Sequence, residues 1–141
     1  MKIQTILATK GAHVFTVRAD QSVKEAIVAL VQHNVGALVV VDEAGKAVGI
    51  MSERDVVRAA ARDEPFTQPV SAVMTKKVIV ASPQDELASV MQTMTEKRFR
   101  HLPVIERGNL IGIVSIGDMV KAQLDQYQGE IETLETQLIE G

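Results

Sequence analysis

Apolar residues recur along this chain in two alternating rhythms. Val23, Ala26, Ile27, Leu30 and Val31 fall at i, i+3, i+4, i+7 and i+8, which puts them on one face of a helix. Asp20 or Ser22 stands ready to cap that helix by accepting a hydrogen bond from a free backbone N–H. Residues 14–17 form a short β-rich run before it. After it, residues 37–41 (ALVVV) form a continuous apolar run, short enough for a buried strand. A turn at residues 42–45, Asp-Glu-Ala-Gly, leads to a strand ending near Met51, and Ser52 opens a helix running to about Ala61.

The whole sequence of elements then repeats. Residues 14–41 align with 78–105 at a shift of 64, placing Val14 on Val78, Val23 on Leu87, Leu30 on Met94 and Val40 on Val104. One residue is lost in the turn, and VGIMSERDVV (48–57) lies on IGIVSIGDMV (111–120) at a shift of 63. The second copy predicts a strand at 78–81, a helix face of Leu87, Val90, Met91 and Met94, a strand at 102–105, a turn at Arg107-Gly108-Asn109, a strand at 110–114 and a helix from Ser115. Pro65 and Pro69 break the connection between the copies. Val70, Val73 and Met74 echo Ile3, Ile6 and Leu7 at a shift of 67, so the first copy carries three extra residues around Lys10-Gly11-Ala12. A repeat of about 60 residues is small for an independent core, which predicts one intertwined unit rather than two free domains.

Candidate chemistry concentrates at the repeated Gly-Ile-x-Ser-x-x-Asp, Gly49 to Asp55 and Gly112 to Asp118. Each copy sits where an apolar strand meets a helix, where free backbone N–H groups attract a phosphate. A carboxylate three residues after the Ser can accept from a ribose diol. Ser-x-x-Asp also caps a helix, and the two roles are compatible. KRFRHLPV (97–104) supplies a second cluster: Lys97, Arg98, Arg100 and His101 around the start of a strand. Arginine forks suit phosphate oxygens; cations at a helix C-terminus are also a plain dipole effect. A third pattern closes the chain. Val120, Leu124, Tyr127, Ile131, Leu134 and Leu138 are spaced 4, 3, 4, 3, 4, a heptad seam that Gly129 interrupts. Asp125, Glu130, Glu132, Glu135 and Glu140 flank it against Lys121 alone. Such a helix packs on its own module or pairs across a dimer.

Composition narrows the classes. Of 141 residues 46% are hydrophobic and only 3% aromatic, so the core is aliphatic. A net charge of −3 argues against broad nucleic-acid binding. Cysteine is absent and the three histidines lack metal-ligand spacing, so no metal site is expected. No apolar run reaches a membrane span and no signal peptide is evident, which makes the cytoplasm the expected location. There is no nucleophile elbow, Walker loop or GxGxxG, and the chain is expected not to be an enzyme.

The strand-helix-strand-strand-helix repeat with GIMSERD and GIVSIGD, preceded by VGALVVVDEAGKAVG and RHLPVIERGNLIG, resembles the CBS (cystathionine β-synthase) domain family over nearly the whole chain, to about Ala122. The resemblance implies an α+β fold: two intertwined CBS repeats about a pseudo-twofold axis, here with an extended C-terminal helix. The corresponding spans are residues 1–63, 64–122 and, for the extension, 123–141. It implies a stand-alone regulatory module binding an adenosine nucleotide in the clefts between repeats: AMP first, NAD(H) second, ATP or ADP third. Asp118 and Asp55 would hold the ribose hydroxyls, with Ser115 and Ser52 beside the nucleotide. The Asp118 cleft is expected to be the main one, closed by Lys10, Gly11, Val14, Val35, Gly36 and Ala37. Arg98, Arg100 and His101 are expected nearby, with Gly117 in the motif and Gly36 leaving room for a base or phosphate. The Asp55 cleft would use Lys76, Val78, Phe99, Arg100 and Arg54 and have weaker phosphate support; Arg58 is a further candidate there. A homodimer, through the C-terminal helix, and an unidentified regulated protein are the expected partners. The alternative is a structural, protein-interaction dimer whose clefts hold no ligand.

Overall fold

The computed structural model describes residues 1–11 and 13–140; Ala12, one of the three extra residues, and the Glu140 side chain lie outside the description. The first repeat builds a three-stranded sheet from β1 (Thr16–Arg18), β2 (Ala37–Val41) and β3 (Ala47–Ser52). β1 is parallel to β2, and β2 antiparallel to β3. Helix α2 (Val23–His33) crosses between β1 and β2, and Ser22, rather than Asp20, caps it by accepting from Glu25 N–H. Helix α3 (Glu53–Ala61) follows β3. In the second repeat α4 (Leu87–Lys97) precedes the antiparallel pair β4 (His101–Glu106) and β5 (Asn109–Ser115).

The strand expected at 78–81 does not form. Only Ala81 bridges Val104, in the register that pairs Val17 with Val40 in the first repeat. Proline is the cause. In the first repeat Val39 N–H donates to Phe15 O at 3.2 Å. The equivalent donor in the second repeat is Pro103, which has no N–H to offer Ile79.

The N-terminus brings a second departure. Residues Ile3–Lys10 form a helix, α1, and it does not pack on its own repeat. Ile3, Ile6 and Leu7 are buried with Leu87, Val90, Met94 and Leu102 of the second repeat. Reciprocally, Val70, at the start of a 3₁₀ turn Val70–Ala72, joins Val17, Leu30, Leu38 and Met51 of the first. The exchange repeats bond for bond. Ile3 N donates to Asp85 O and Val70 N to Gln21 O; Gln4 N donates to Pro83 O and Ser71 N to Ala19 O.

This exchange explains the two motif glycines. A Cβ on Gly49 would lie 2.7 Å from Thr75 O and 2.8 Å from Met74 Sδ, and one on Gly112 would lie 2.6 Å from Leu7 Cδ2. Both positions give room to the segment that crosses from the other repeat. The last helix, α5 (Ile116–Glu140), is continuous through Gly129. Met119 anchors it in the second core, while Leu124 and the large apolar side chains beyond it are exposed.

Candidate functional site

Two clefts open where the repeats face each other, one above each Ser-x-x-Asp junction. In both, the Asp is held by its own helix start. Ser52 N–H donates to Asp55 Oδ2 at 2.8 Å and Asp55 N–H returns a bond to Ser52 Oγ. Ser115 N–H likewise donates to Asp118 Oδ2 at 2.9 Å, with Asp118 N–H donating to Ser115 Oγ. Capping is therefore a real role of both motifs, and it orients each carboxylate at the cleft floor.

What else reaches the two carboxylates differs. Thr75 Oγ1 donates to Asp55 Oδ1 at 3.0 Å, and Asp55 is only 5% exposed. At the other site Lys10 Nζ bonds both Asp118 Oδ2, at 2.7 Å, and Ile113 O, at 2.8 Å. Burial pushes Asp118 up, but the Lys10 ammonium and the Ser115 donors outweigh it and hold the carboxyl below its ordinary value. The neutral Thr75 and the cationic Lys10 come from corresponding segments, each just before the first strand position of its own repeat.

The Asp55 cleft, of about 420 Å³, is lined by Ser52, Glu53, Arg54, Asp55, Arg58, Thr75 and Val78, together with Lys97, Arg98, Phe99, Arg100 and His101. The Asp118 cleft, of about 350 Å³, is lined by Lys10, Gly11, His13, Phe15, Val35, Gly36 and Ala37, with His101, Ser115 and Asp118 opposite. Arg98 is thus placed on the other side from the one expected, and Arg100, expected at both clefts, lines the Asp55 cleft. Lys97, Arg98 and Arg100 face Asp55, while His101, with Gly36 against it, lines both clefts. The repeat itself explains this. Val35-Gly36-Ala37 line the Asp118 cleft, so their counterparts 64 residues on, Phe99-Arg100-His101, must line the related one. Arg98 takes a left-handed conformation, φ 60° and ψ 32°, where the first repeat has Asn34. Asn adopts that region readily; Arg does so at a cost of about 1 kcal/mol.

Other expected residues fall elsewhere. Val14, Lys76 and Gly117 line neither cleft, and Lys76 and Gly117 are exposed. Gly36 does not leave an open space: a Cβ there would lie 3.3 Å from His101 Nε2, so the imidazole already fills it. Burial of that ring lowers the His101 pKa from its ordinary value, assisted by Lys10 and Arg100 and opposed by Asp118 and Glu53. A feature without a signal in the spacing is the stack of Phe15 on His33, centroids 3.8 Å apart and planes within 10°. With His13 stacked 6.3 Å beyond Phe15, it gives the Asp118 cleft an aromatic wall. Thr75 and Glu53 also escape a reading of the motif, Thr75 because it lies outside it and Glu53 because it occupies a variable position that the second copy fills with Ile116. Among the described residues no group of acidic or histidine side chains is arranged to hold a metal, and no helix is long and apolar enough to cross a membrane.

Paired strand–helix repeats, exchanging their leading segments and meeting in two Ser-x-x-Asp clefts, define a tandem-repeat module. The CBS domain profile matches residues 7–62 and again 70–125. The chain belongs to the CBS domain family and carries two CBS domains in tandem. It is 33% identical to the CBS domain-containing protein YhcV of Bacillus subtilis over 123 residues, covering 86% of this chain and 87% of that one. The CBS-domain containing protein ATU1752 of Agrobacterium tumefaciens superposes with a TM-score of 0.83 at 44% identity, over 86% of this chain and 92% of that one. The CBS domain pair of protein MJ0100, solved in complex with 5′-methylthioadenosine and S-adenosyl-L-methionine, superposes with a TM-score of 0.80 at 27% identity, over 89% of this chain and 98% of that one.

Proposed function

We propose that this protein is a non-enzymatic regulatory module that binds an adenosine nucleotide between its two CBS domains. AMP is the first choice of ligand, NAD(H) the second, and ATP or ADP the third. The observation that carries the reading is the Asp55 cleft. Its carboxylate accepts three hydrogen bonds from Ser52 and Thr75, leaving about one of its four lone-pair sites for a ribose hydroxyl. Around it stand Arg54, Arg58, Lys97, Arg98 and Arg100. That group neutralises phosphate, and the left-handed Arg98 is the kind of local strain that accumulates where a side chain is needed. The adenosyl ligands of the MJ0100 pair support the ligand class.

The main phosphate site is therefore the Asp55 cleft. At the Asp118 cleft the ammonium of Lys10 already pairs with the carboxylate, which favours a site with weaker ligand or none. That is where the alternative of a protein-interaction module retains force. The chain acts as a cytoplasmic homodimer on an unidentified partner protein, with α5 as its pairing element.

Thermal-shift measurement with AMP, ATP, NADH and S-adenosylmethionine tests the reading. Stabilisation by a phosphorylated adenosine ligand, at 100 times its Kd, amounts to about 2.7 kcal/mol. The doubly substituted Arg98→Ala/Arg100→Ala chain, which leaves the buried Asp55 in place, should lose this response. No response of the well-folded wild type to any of the four ligands would leave the interaction module as the surviving reading.

A further inference from the structure

Helix α5 leaves its module carrying apolar side chains that none of the described residues covers. Val120, Leu124, Tyr127, Ile131, Leu134 and Leu138 are between 43 and 82% exposed. Their 4, 3, 4, 3, 4 spacing draws one stripe along the helix, with Leu124, Ile131 and Leu138 at the first and Val120, Tyr127 and Leu134 at the fourth heptad position. Gly129 lies outside the seam, with nothing within 4 Å of where its Cβ would be, and the helix runs through it unbroken. We propose that the stripe pairs with that of a second copy in antiparallel orientation, Tyr127 of each helix facing Ile131 of the other. This deepens, and rests on, the reading of the module as a homodimer.

Charge along the seam chooses the orientation. Aligned antiparallel, Val120 meets Leu138, Leu124 meets Leu134 and Tyr127 meets Ile131, so all six residues find a partner over about 28 Å of helix. The flanking positions then set Lys121 of each copy opposite Glu135 of the other, two attractive pairs against a single Glu130–Glu130 repulsion. Gln123 faces Gln137 and Gln128 faces itself. Aligned parallel, Glu130 faces Glu135 twice and Gln123 faces Gln128, while Lys121 meets no acid. Flanking charges of this kind set orientation in paired helices, and antiparallel packing also opposes the two helix dipoles. The modules then sit at opposite ends of the paired helices.

Sedimentation equilibrium of the full chain reads this directly. Wild type sediments as a dimer, and Leu134→Asp, a change at an exposed position, sediments as a monomer with unchanged circular dichroism. Glu135→Lys separates the orientations: at low salt it weakens an antiparallel dimer by roughly fivefold and tightens a parallel one. The chain has no cysteine, so oxidation gives a second measurement. Leu124→Cys mixed with Leu134→Cys cross-links, and neither variant alone does. Tightening by Glu135→Lys, with Leu134→Cys cross-linking to itself, overturns the orientation while the homodimer stands. A dimer unaffected by Leu134→Asp moves the interface off α5. A wild type that stays monomeric at every concentration overturns the homodimer reading as well.

Discussion

At the residue scale His101 is the point where the two clefts touch. Its ring packs against Gly36 and lines both cavities. Burial dominates the lowering of its pKa, and the sign of the consequence follows. As pH falls, the unfolded chain takes up this proton near the ordinary value of 6.5, before the folded chain does. The folded state thus loses stability between pH 6.5 and the lower folded pKa, and keeps its full contribution above 6.5. Urea midpoints of the wild type should therefore drop over that interval, and His101→Gln should flatten the drop. An unchanged slope in the variant would assign the titration elsewhere. Asp118 acts in the same direction at more acid pH, since its folded pKa is also lowered and its stabilisation is lost as pH falls through it. The His101 contact was not legible in the sequence: the chain shows a histidine at a strand start, and only the pseudo-twofold places it against Gly36. The two ribose-anchor carboxylates were legible because they repeat with their capping serines. The arginines show where proximity in sequence misleads. Lys10, Gly11 and Gly36 make the Asp118 side look receptive to the charge at 97–101, whereas the 64-residue shift carries Val35-Gly36-Ala37 onto Phe99-Arg100-His101 at the Asp55 cleft, and Arg98 goes with them.

At the scale of elements, helices α2, α3 and α4 and strands β2 to β5 could be read from periodicity, with ends shifted by a residue or two, because each buries one continuous apolar face or run. The missing strand at 78–81 shows the limit of that rule. Val78, Ile79 and Val80 have ample β-propensity, but a strand also needs a donor opposite, and Pro103 withholds it. The substitution Pro103→Val tests this cause. It restores an N–H that can bond Ile79 O as Val39 N–H bonds Phe15 O. One hydrogen bond contributes about 1 kcal/mol, and removing a proline costs about 0.4–1 kcal/mol through the freer unfolded chain. Net stability should move by less than about 1 kcal/mol, the difference between these two effects. The informative readout is amide exchange: protection should appear at the substituted position and extend along 79–81, and its absence would mean that proline is not what limits the pairing.

At the scale of the whole molecule, the exchange of leading segments makes the two repeats one folding unit. The sequence carries its trace, the match of Ile3, Ile6 and Leu7 with Val70, Val73 and Met74, but a match in series cannot say which core each set enters. The crossing gives a specific expectation for a chain lacking residues 1–8. This truncation removes Ile3, Ile6 and Leu7 from the second core, where Ile3 is fully buried and the other two nearly so. Deleting even one buried aliphatic side chain costs about 2–5 kcal/mol, and ordinary domains have only about 5–15 kcal/mol in total. The loss therefore falls first on the second repeat, although the deleted residues precede the first in sequence. Native-state hydrogen exchange should show α4, β4 and β5 opening at lower free energy than α2, β2 and β3, whose core retains Val70. Preferential loss of protection in the first repeat would contradict the crossing. The first repeat has its own leading segment, from Val70 onward, joined only through the connection after α3, so it can remain folded while the second opens.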